Sequence, residues 1–309
     1  MSFKDWVVQS RERVGANGWR GVQDSAYRLY VSLLSKLDPL FPDGKCVLED
    51  DWDLLIVLDA CRVDALEEVS EEYEFLDNPG SIRSVGSSST MWFTNTFLPK
   101  YDDIISGTIY VSANPHLEAV EDRPFLDQIR VYDWGWSKEV ATTPSEVVTE
   151  AAIAASREHR EEYDRMVVHY MQPHDPSVPD PLSEYDENMD KKISAWHRVR
   201  HGELSKERAW ESYLENLRYV LDSVEVLLNN VNASKVVITA DHAEAIGEWG
   251  VYNHPIGVPL KSVRTVPWYQ TTATDNGSVN PDVENLKTKQ KSDDQTVEEK
   301  LRALGYRTD

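Results

Sequence analysis

Basic residues are scarce in this sequence of 309 amino acids. Lys and Arg number 32 against 54 Asp and Glu, which gives a formal net charge of −22. Because proteins that bind nucleic acids need basic patches for the phosphate backbone, this balance argues against nucleic-acid binding as the main function. The acidic residues are spread along the whole length, a pattern typical of proteins that work in concentrated salt, where ions screen self-repulsion. We expect a halophilic source, although ordinary acidic proteins share this composition.

Cysteines and long apolar runs are also scarce. The two cysteines, Cys46 and Cys61, are too few for a disulfide framework. The longest apolar runs, such as LLIVL at 54–58, are far too short to cross a bilayer, and the first residues lack the basic-then-apolar pattern of a secretory leader. The sequence therefore predicts a cytoplasmic protein without a transmembrane segment. It gives no indication of the oligomeric state.

Strand and helix patterns alternate along most of the chain. The apolar runs LLIVL (54–58), MVVHY (166–170) and VVIT (236–239) are typical of buried strands, and amphipathic helical patterns separate them. One of these helices is expected to begin with Ser145 as its N-cap, and a charged stretch at 181–201 is predicted to be helical. The alternation predicts an α/β fold, with a mostly parallel central sheet and helices on both faces.

The composition divides the chain into three parts. We predict an N-terminal helical segment at 1–50, the α/β domain at 51–273, and a flexible linker with a short C-terminal helix at 274–309. Within the first part, the stretch YRLYVSLLSKLDPLF (27–41) is weakly amphipathic. A helix packed on the domain is the more common meaning of such a stretch, and contact with a membrane or a partner is the alternative.

Polar side chains cluster where the three buried strands end. They are Asp59, His169, His174, Asp241, His242 and, on the loop that follows, His254. Open α/β sheets carry their chemistry at the carboxyl ends of their strands, so side chains from separate strands can meet at one point. Carboxylate oxygens and imidazole nitrogens together bind divalent cations. The sequence thus predicts a metal site at this edge, against the alternative that the aspartates only cap helices.

A hydroxyl-rich stretch, SVGSSSTMWFTNTF (84–97), offers a nucleophile. Small hydroxyl residues after a glycine and before an apolar helical run can expose a hydroxyl at a helix N-terminus, where the helix dipole and a metal favour the alkoxide. Ser89 and Thr90 are the candidates. The alternative is a serine-rich loop in which one serine caps the helix.

Several of these segments resemble the alkaline phosphatase superfamily, on its sulfatase-like and phosphoethanolamine transferase-like side. TADHAEAIGEWGVYNHP (239–255) is similar to the family's Asp-His-Gly-Glu segment and the histidine after it, with Ala243 in place of the usual glycine. HYMQPHDP (169–176) resembles the family's histidine turn, and LIVLDACRVDAL (55–66) resembles its opening strand and metal-binding aspartate. GSSSTMW (86–92) resembles a Gly-Ser-x-Thr-x-x-Trp arrangement of related archaeal sequences, which would place Ser89 at the nucleophile position.

The resemblance implies a catalytic domain with the family's fold over 51–273 and a bound divalent cation, which would be Mn, Zn or Ca. The implied metal ligands are Asp59, Asp241, His242 and the nucleophilic hydroxyl. The implied role of His174 and His254 is contact with the substrate ester or with a second metal. We assign His169 and Arg62 to substrate binding, since a guanidinium can grip sulfate or phosphate oxygens as a planar fork; an ion pair with a nearby acid is the equal alternative for Arg62.

One departure from the family reduces the number of possible nucleophiles. The Cys-x-Pro-Ser-Arg signature that supplies formylglycine in typical sulfatases is absent, which leaves a serine or threonine nucleophile. We therefore expect a metal-dependent, sulfatase-like hydrolase that acts on a sulfate or phosphate ester of a small molecule or a glycan. The alternatives are a transferase that places such a group on a surface glycan, and a metal-binding relative without activity.

Overall fold

The central sheet is built on the apolar strands that the sequence predicts. The computed structural model describes residues 3–186, 191–290 and 295–305, and in this part of the chain the sheet has seven strands. In spatial order they are β2 (Ser81–Arg83), β11 (Thr265–Ala273), β8 (Ala233–Thr239), β1 (Leu54–Leu58), β5 (Arg165–Tyr170), β3 (Thr108–Ser112) and β4 (Asp127–Arg130). Strands β1, β3, β4, β5 and β8 are parallel, whereas β11 runs antiparallel to β8 and to β2. Two short hairpins pair β6 (Glu184–Asp186) with β7 (Lys191–Ile193) and β9 (Ala245–Ile246) with β10 (Tyr252–Asn253).

Helices connect the strands and cover both faces of the sheet. They are α1 (Phe3–Ser35), α2 (Val63–Val69), α3 (Ser89–Thr96), α4 (Asp102–Ile105), α5 (Val131–Trp134), α6 (Ser145–Glu158), α7 (Ala195–Arg200), α8 (Lys206–Leu228), α9 (Lys261–Arg264), α10 (Val283–Gln290) and α11 (Val297–Ala303). None of the helices in the described ranges is both long enough and apolar enough to cross a bilayer.

The side chains of β1 show why both faces are covered. All five are buried, and because successive side chains of a strand point to opposite faces, they feed two cores. Leu54, Ile56 and Leu58 belong to a core shared with α2, α6 and α8. Leu55 and Val57 belong to a second core, shared with α3. The predicted α/β architecture, a mostly parallel sheet between two helical layers, is confirmed.

Two local predictions are wrong. The stretch 181–201 is not one helix: its described part contains β6, β7 and α7. Ser145 is the first residue of α6 rather than its N-cap, because its hydroxyl is engaged with the Ser223 hydroxyl at 2.8 Å. These two corrections share a cause, since contacts with residues distant in the sequence act on each segment: Ser145 with Ser223, and Ser194 with Asn253. The flexible linker stays a prediction; its described part contains α10, and Asp275 near its start forms an ion pair of 2.9 Å with Arg157.

Candidate active site

Three side chains from adjacent strands meet at the carboxyl edge of the sheet. Asp59 directly follows β1, His169 lies in β5, and Asp241 comes two residues after the end of β8. The register places Val57 beside both His169 and Thr239, so Asp59 and Asp241 each follow two residues beyond the level of His169. One donor atom from each lies within 4.8 Å of the others, and all three residues are fully buried. The structure thus brings together the two aspartates as expected, with His169 between them.

Each of these side chains has one buried polar atom that makes no hydrogen bond within the described part of the chain. One oxygen of each carboxylate is hydrogen-bonded: Asp59 Oδ2 accepts from the Asn114 amide at 2.6 Å, and Asp241 Oδ1 accepts from the His242 backbone N–H at 2.9 Å. The other carboxylate oxygens, and His169 Nε2, are buried without a hydrogen-bond partner among the described residues. Buried polar atoms without partners are rare in proteins because desolvation is costly. Two acidic oxygens and an imidazole nitrogen that converge in this way fit a divalent cation.

His242 adds a second imidazole to the cluster. Its Nδ1–H donates to the Ala243 carbonyl at 3.1 Å, so Nε2 is the ring nitrogen that faces the cluster. That Nε2 lies 3.4 Å from Asp241 Oδ2 and 3.6 Å from Asp59 Oδ1. A hydrogen bond from one ring nitrogen to a carbonyl is the usual way in which proteins orient a metal-ligating histidine. His242 is therefore positioned to act as a ligand together with the two aspartates.

The electrostatics of the cluster favour a bound cation. Burial and the neighbouring charge of Asp241 raise the pKa of Asp59, because two carboxylates in one dry site repel each other. Burial and the same two carboxylates raise the pKa of Tyr110, whose hydroxyl lies 2.9 Å from His169 Nδ1 and stays protonated. A divalent cation would neutralise both aspartates and relieve this repulsion.

The two candidate nucleophiles face different partners. Ser89 begins α3 and is fully buried, and its Oγ lies 3.3 Å from Asp59 Oδ2 and 3.3 Å from His242 Nε2. The Thr90 hydroxyl contacts His116 Nδ1 instead, at 3.2 Å. Successive residues of a helix point in directions about 100° apart, so only one of these two hydroxyls can meet the cluster. That hydroxyl belongs to Ser89.

A glycine allows the nucleophile loop to approach α3. A Cβ atom built on Gly86 would lie 2.5 Å from the backbone nitrogen of Trp92, well inside any permitted contact. The chain can therefore fold back over the first turn of α3 only with glycine at this position. This close approach fixes the start of the helix, and with it the Ser89 hydroxyl.

His254 and His174 line one side of the cluster. The His254 ring packs on the His242 ring, with centroids 4.4 Å apart, and on the His174 ring at 5.0 Å. Burial alone would lower the pKa of His254, but the Glu244 carboxylate, 3.1 Å from its Nδ1, raises it. Burial and the two neighbouring imidazoles lower the pKa of His174. The raised pKa of His254 favours its charged form, and the lowered pKa of His174 favours its neutral form.

Arg62 is engaged within the protein. Its guanidinium forms a fork with the Asp64 carboxylate, with distances of 2.8 and 2.6 Å, and a further ion pair of 3.0 Å with Glu248. The side chain is largely buried, so these carboxylates provide the compensation that a buried cation needs. The contacts in the structure correspond to the ion-pair alternative for Arg62, and a substrate-binding role stays a prediction.

Four further residues of the site were missed by the sequence reasoning. They are Tyr110, Asn114, His116 and Glu244. Burial lowers the pKa of His116 to about 4, so its imidazole is neutral beside Thr90. Tyr110, Asn114 and His116 belong to β3 and the turn after it, in the run TIYVSANPH (108–116). The rule that identified the other strand ends would have found these residues if β3 had been recognised as a strand of the same sheet.

Comparisons with known proteins bear on the fold. No protein-family profile and no curated protein matches the chain. Among solved structures, the soluble domain of lipooligosaccharide phosphoethanolamine transferase A from Neisseria meningitidis is similar over 82% of this chain and 89% of its own, with a TM-score of 0.51 and 14% identity. This chain shares the fold of that phosphoethanolamine transferase domain. The integral membrane form of the same transferase gives a TM-score of 0.50 and 15% identity, over 78% of this chain and 51% of its own. At such identities the likeness shows the fold alone.

Proposed function

We propose that the chain is a metal-dependent hydrolase of a sulfate or phosphate ester, with Ser89 as its nucleophile. One observation carries the proposal: the Ser89 hydroxyl lies 3.3 Å from both Asp59 and His242, beside three buried donor atoms without partners among the described residues. A structural serine at a helix start needs no such surroundings. A nucleophile that has to lose its proton does.

Four side chains would hold the cation: Asp59, Asp241, His169 and His242. When bound, a divalent cation supplies a Lewis acid that lowers the pKa of a nearby hydroxyl and offsets the negative charge of the ester oxygens. The mixture of two carboxylates with two imidazoles favours Zn or Mn over Ca, which prefers a shell of oxygens. His169 is then a metal ligand in this proposal rather than the substrate-binding residue expected from the sequence.

The reaction needs one proton acceptor and one proton donor. The Ser89 proton passes to Asp59 Oδ2, which lies 3.3 Å from the Ser89 hydroxyl, while Asp59 Oδ1 and His242 Nε2 would hold the cation. Ser89 Oγ then bonds to the sulfur or phosphorus atom as the bond to the leaving oxygen breaks. His254, held by Glu244, donates a proton to that oxygen. Water subsequently attacks the seryl ester and gives a proton to His254, and the proton held by Asp59 returns to Ser89 Oγ as the ester bond breaks.

A transferase is the second candidate. The observation in its favour is the likeness of the fold to a phosphoethanolamine transferase. The two reactions share the seryl ester and differ only in the acceptor, which is water in one and a glycan hydroxyl in the other. The proposed substrate in either case is a small-molecule or glycan ester.

The test is turnover of an aryl sulfate and an aryl phosphate diester by the full chain. Activity should vanish after dialysis against EDTA and return with Zn or Mn salts, while Ca should restore less. Mass spectrometry of an acid-quenched reaction should find the sulfate or phosphate group on Ser89. Undiminished turnover in excess EDTA would remove the metal from the proposal. If metal binds tightly but neither ester is turned over, the non-catalytic relative is the better description.

A transfer assay separates the two reactions. With a soluble oligosaccharide present, a hydrolase releases the free acid and leaves the sugar unmodified, whereas a transferase modifies the sugar. The Ser89→Ala variant is the control, since it should abolish both products.

A further inference from the structure

The outward face of the N-terminal helix is apolar. Gly18, with a backbone φ of 54°, kinks α1, and the part after the kink packs on the domain through Ser25, Val31 and Leu34. The opposite face would normally be polar. Here it carries exposed apolar side chains at spacings of three, four or seven residues, which continue through the turn after the helix: Trp19, Val22, Leu29, Leu33, Leu37 and Leu40. We refer to these six as the outer stripe.

A loop near the candidate active site extends the outer stripe. The Tyr30 hydroxyl donates to the carbonyl of Trp249 at 2.8 Å, and a Cβ built on Gly257 would lie 3.2 Å from Ser35 Cβ. This loop presents two of the most exposed apolar side chains of the described residues, Trp249 at 78% and Ile256 at 66% exposure. Ile256 is two residues from His254, so the apolar surface runs up to the candidate site.

Trp249 has an unfavourable backbone conformation, and its side chain is exposed. Its φ of 54° is left-handed, a conformation that bulky residues rarely adopt. Gly247 and Gly250 beside it also have positive φ, so the tight turn is defined over several residues. A large aromatic ring kept in solvent by an unfavourable backbone conformation indicates a contact outside the chain.

The charge distribution indicates what the apolar surface contacts. Residues 3–45 contain seven Lys or Arg and five Asp or Glu, so this segment carries +2 whereas the remainder of the chain carries −24. At physiological ionic strength, interactions between exposed charges are largely screened beyond about 8 Å. A surface docked on the basic segment would therefore interact with that segment more strongly than with the distant acidic face. Protruding Trp, Leu and Ile side chains on a segment of positive charge are the features of helices that lie in the interface of an anionic bilayer.

We propose that the outer stripe, with Trp249 and Ile256, docks on the surface of an anionic lipid bilayer. The helix would lie parallel to the membrane plane, with its inner face on the domain and its outer face among the lipid headgroups. A second copy of the chain fits less well, because two outer stripes would bring together segments of like charge on molecules that each carry −22. Docking does not depend on the proposed reaction. If both hold, the candidate site would open toward substrates attached to the membrane.

The test is flotation of the full chain with vesicles. We expect binding to vesicles of phosphatidylcholine mixed with phosphatidylglycerol, and weaker binding to phosphatidylcholine alone and at high salt. Leu33→Glu and Trp249→Ser should each weaken binding by about tenfold or more, because each removes the insertion of a large apolar side chain. Val226→Glu, at an apolar position of similar moderate exposure on α8, is the matched control and should bind as the unaltered chain does. Circular dichroism establishes that each variant is folded.

Two results would overturn the proposal. One is a folded chain that floats with neither kind of vesicle. The other is a dimer in light scattering that Leu33→Glu converts to a monomer, since a second copy would then cover the surface. Turnover of a soluble aryl ester by Leu33→Glu should match that of the unaltered chain, so this experiment and the test of the proposed function fail independently.

Discussion

The two aspartates that flank strand β1 differ in how their carboxylates are satisfied. Asp53, just before the strand, accepts hydrogen bonds at one oxygen from the Ser234 N–H (2.8 Å), the Ser234 hydroxyl (2.6 Å) and the Lys235 N–H (2.9 Å). Burial would raise its pKa, but these bonds lower it. Asp59, just after the strand, has a buried oxygen without a partner in the described part of the chain, and a raised pKa.

The difference in hydrogen bonding separates a carboxylate that stabilises the fold from one that is available to a ligand. Asp53 links β1 to β8 through the hydrogen bonds of one carboxylate oxygen, and it is partly exposed to solvent. Asp59 lies in a fully buried position beside another carboxylate, which costs folding free energy unless something else binds there. We therefore expect Asp53 to contribute to stability and Asp59 to contribute to metal binding, and the following substitutions test this expectation.

Replacing the nucleophile should give the largest effect. Ser89→Ala should reduce the rate of ester cleavage by about four orders of magnitude or more, because no covalent ester can form. Its melting temperature should change little, since Ser89 lies in the first turn of α3 and the N-cap position belongs to Ser88. Thr90→Ala is the matched control and should keep most of the activity, because the Thr90 hydroxyl contacts His116 and not the aspartates. A reversed ranking would make Thr90 the nucleophile.

The Asp59→Asn and Asp53→Asn variants sharpen the comparison directly. Asp59→Asn keeps the shape of the side chain but removes a charge, and the rate should fall by about a hundredfold or more with the weakened metal site. In metal-free protein the same change should raise the unfolding free energy, because it removes one of two repelling buried carboxylates. Asp53→Asn should leave turnover unchanged. Equal losses of activity in the two variants would contradict the difference that we expect between Asp53 and Asp59.

Gly86→Ala tests whether the loop geometry positions Ser89. The added methyl group would clash with the Trp92 backbone, so the start of α3 has to shift. A displacement of that size should cost about ten- to a hundredfold in rate. Gly15→Ala, where a Cβ meets nothing within 4 Å, is the control and should keep full activity. A fully active Gly86→Ala variant would show that the glycine is not needed for the position of Ser89.

The smallest effect is expected for the stability of Asp53→Asn. This carboxylate is partly exposed, so its loss should lower the free energy of unfolding by only about 1 kcal/mol. Urea denaturation measures the change. In a Ser234→Ala background the effect of Asp53→Asn should shrink, because Ser234 supplies two of the three hydrogen bonds. Full additivity of the two changes would mean that these bonds do not stabilise the chain.

The sequence predicts the sheet and much of the candidate site because both rest on local patterns. Asp59, Asp241 and His242 directly follow or nearly follow apolar runs, and the parallel topology carries them to one edge. The sequence does not show that His169 pairs with Val57 of β1, because strand pairing is a property of the tertiary structure. The sequence reasoning therefore assigns His169 to substrate binding and not to the metal. Asn114 and His116 were missed because the strand that precedes them, TIYVS (108–112), has a mixed composition and was not recognised.

Other expectations rest on composition alone. The halophilic source, the cytoplasmic location and the three-part division of the chain stay predictions. The roles of the individual site residues belong to the proposed function.

Metal content is the most direct test of the central claim, which is that Asp59, Asp241 and the two histidines hold a divalent cation beside Ser89. The full chain, dialysed to equilibrium with Zn or Mn and then analysed by plasma mass spectrometry, should retain metal and should melt at a higher temperature than the metal-free chain. Asp53→Asn should retain the same amount. Asp59→Asn should retain far less and should lose the thermal shift. If Asp59→Asn retains metal as the unaltered chain does, or if the unaltered chain retains none, the account of this site is contradicted.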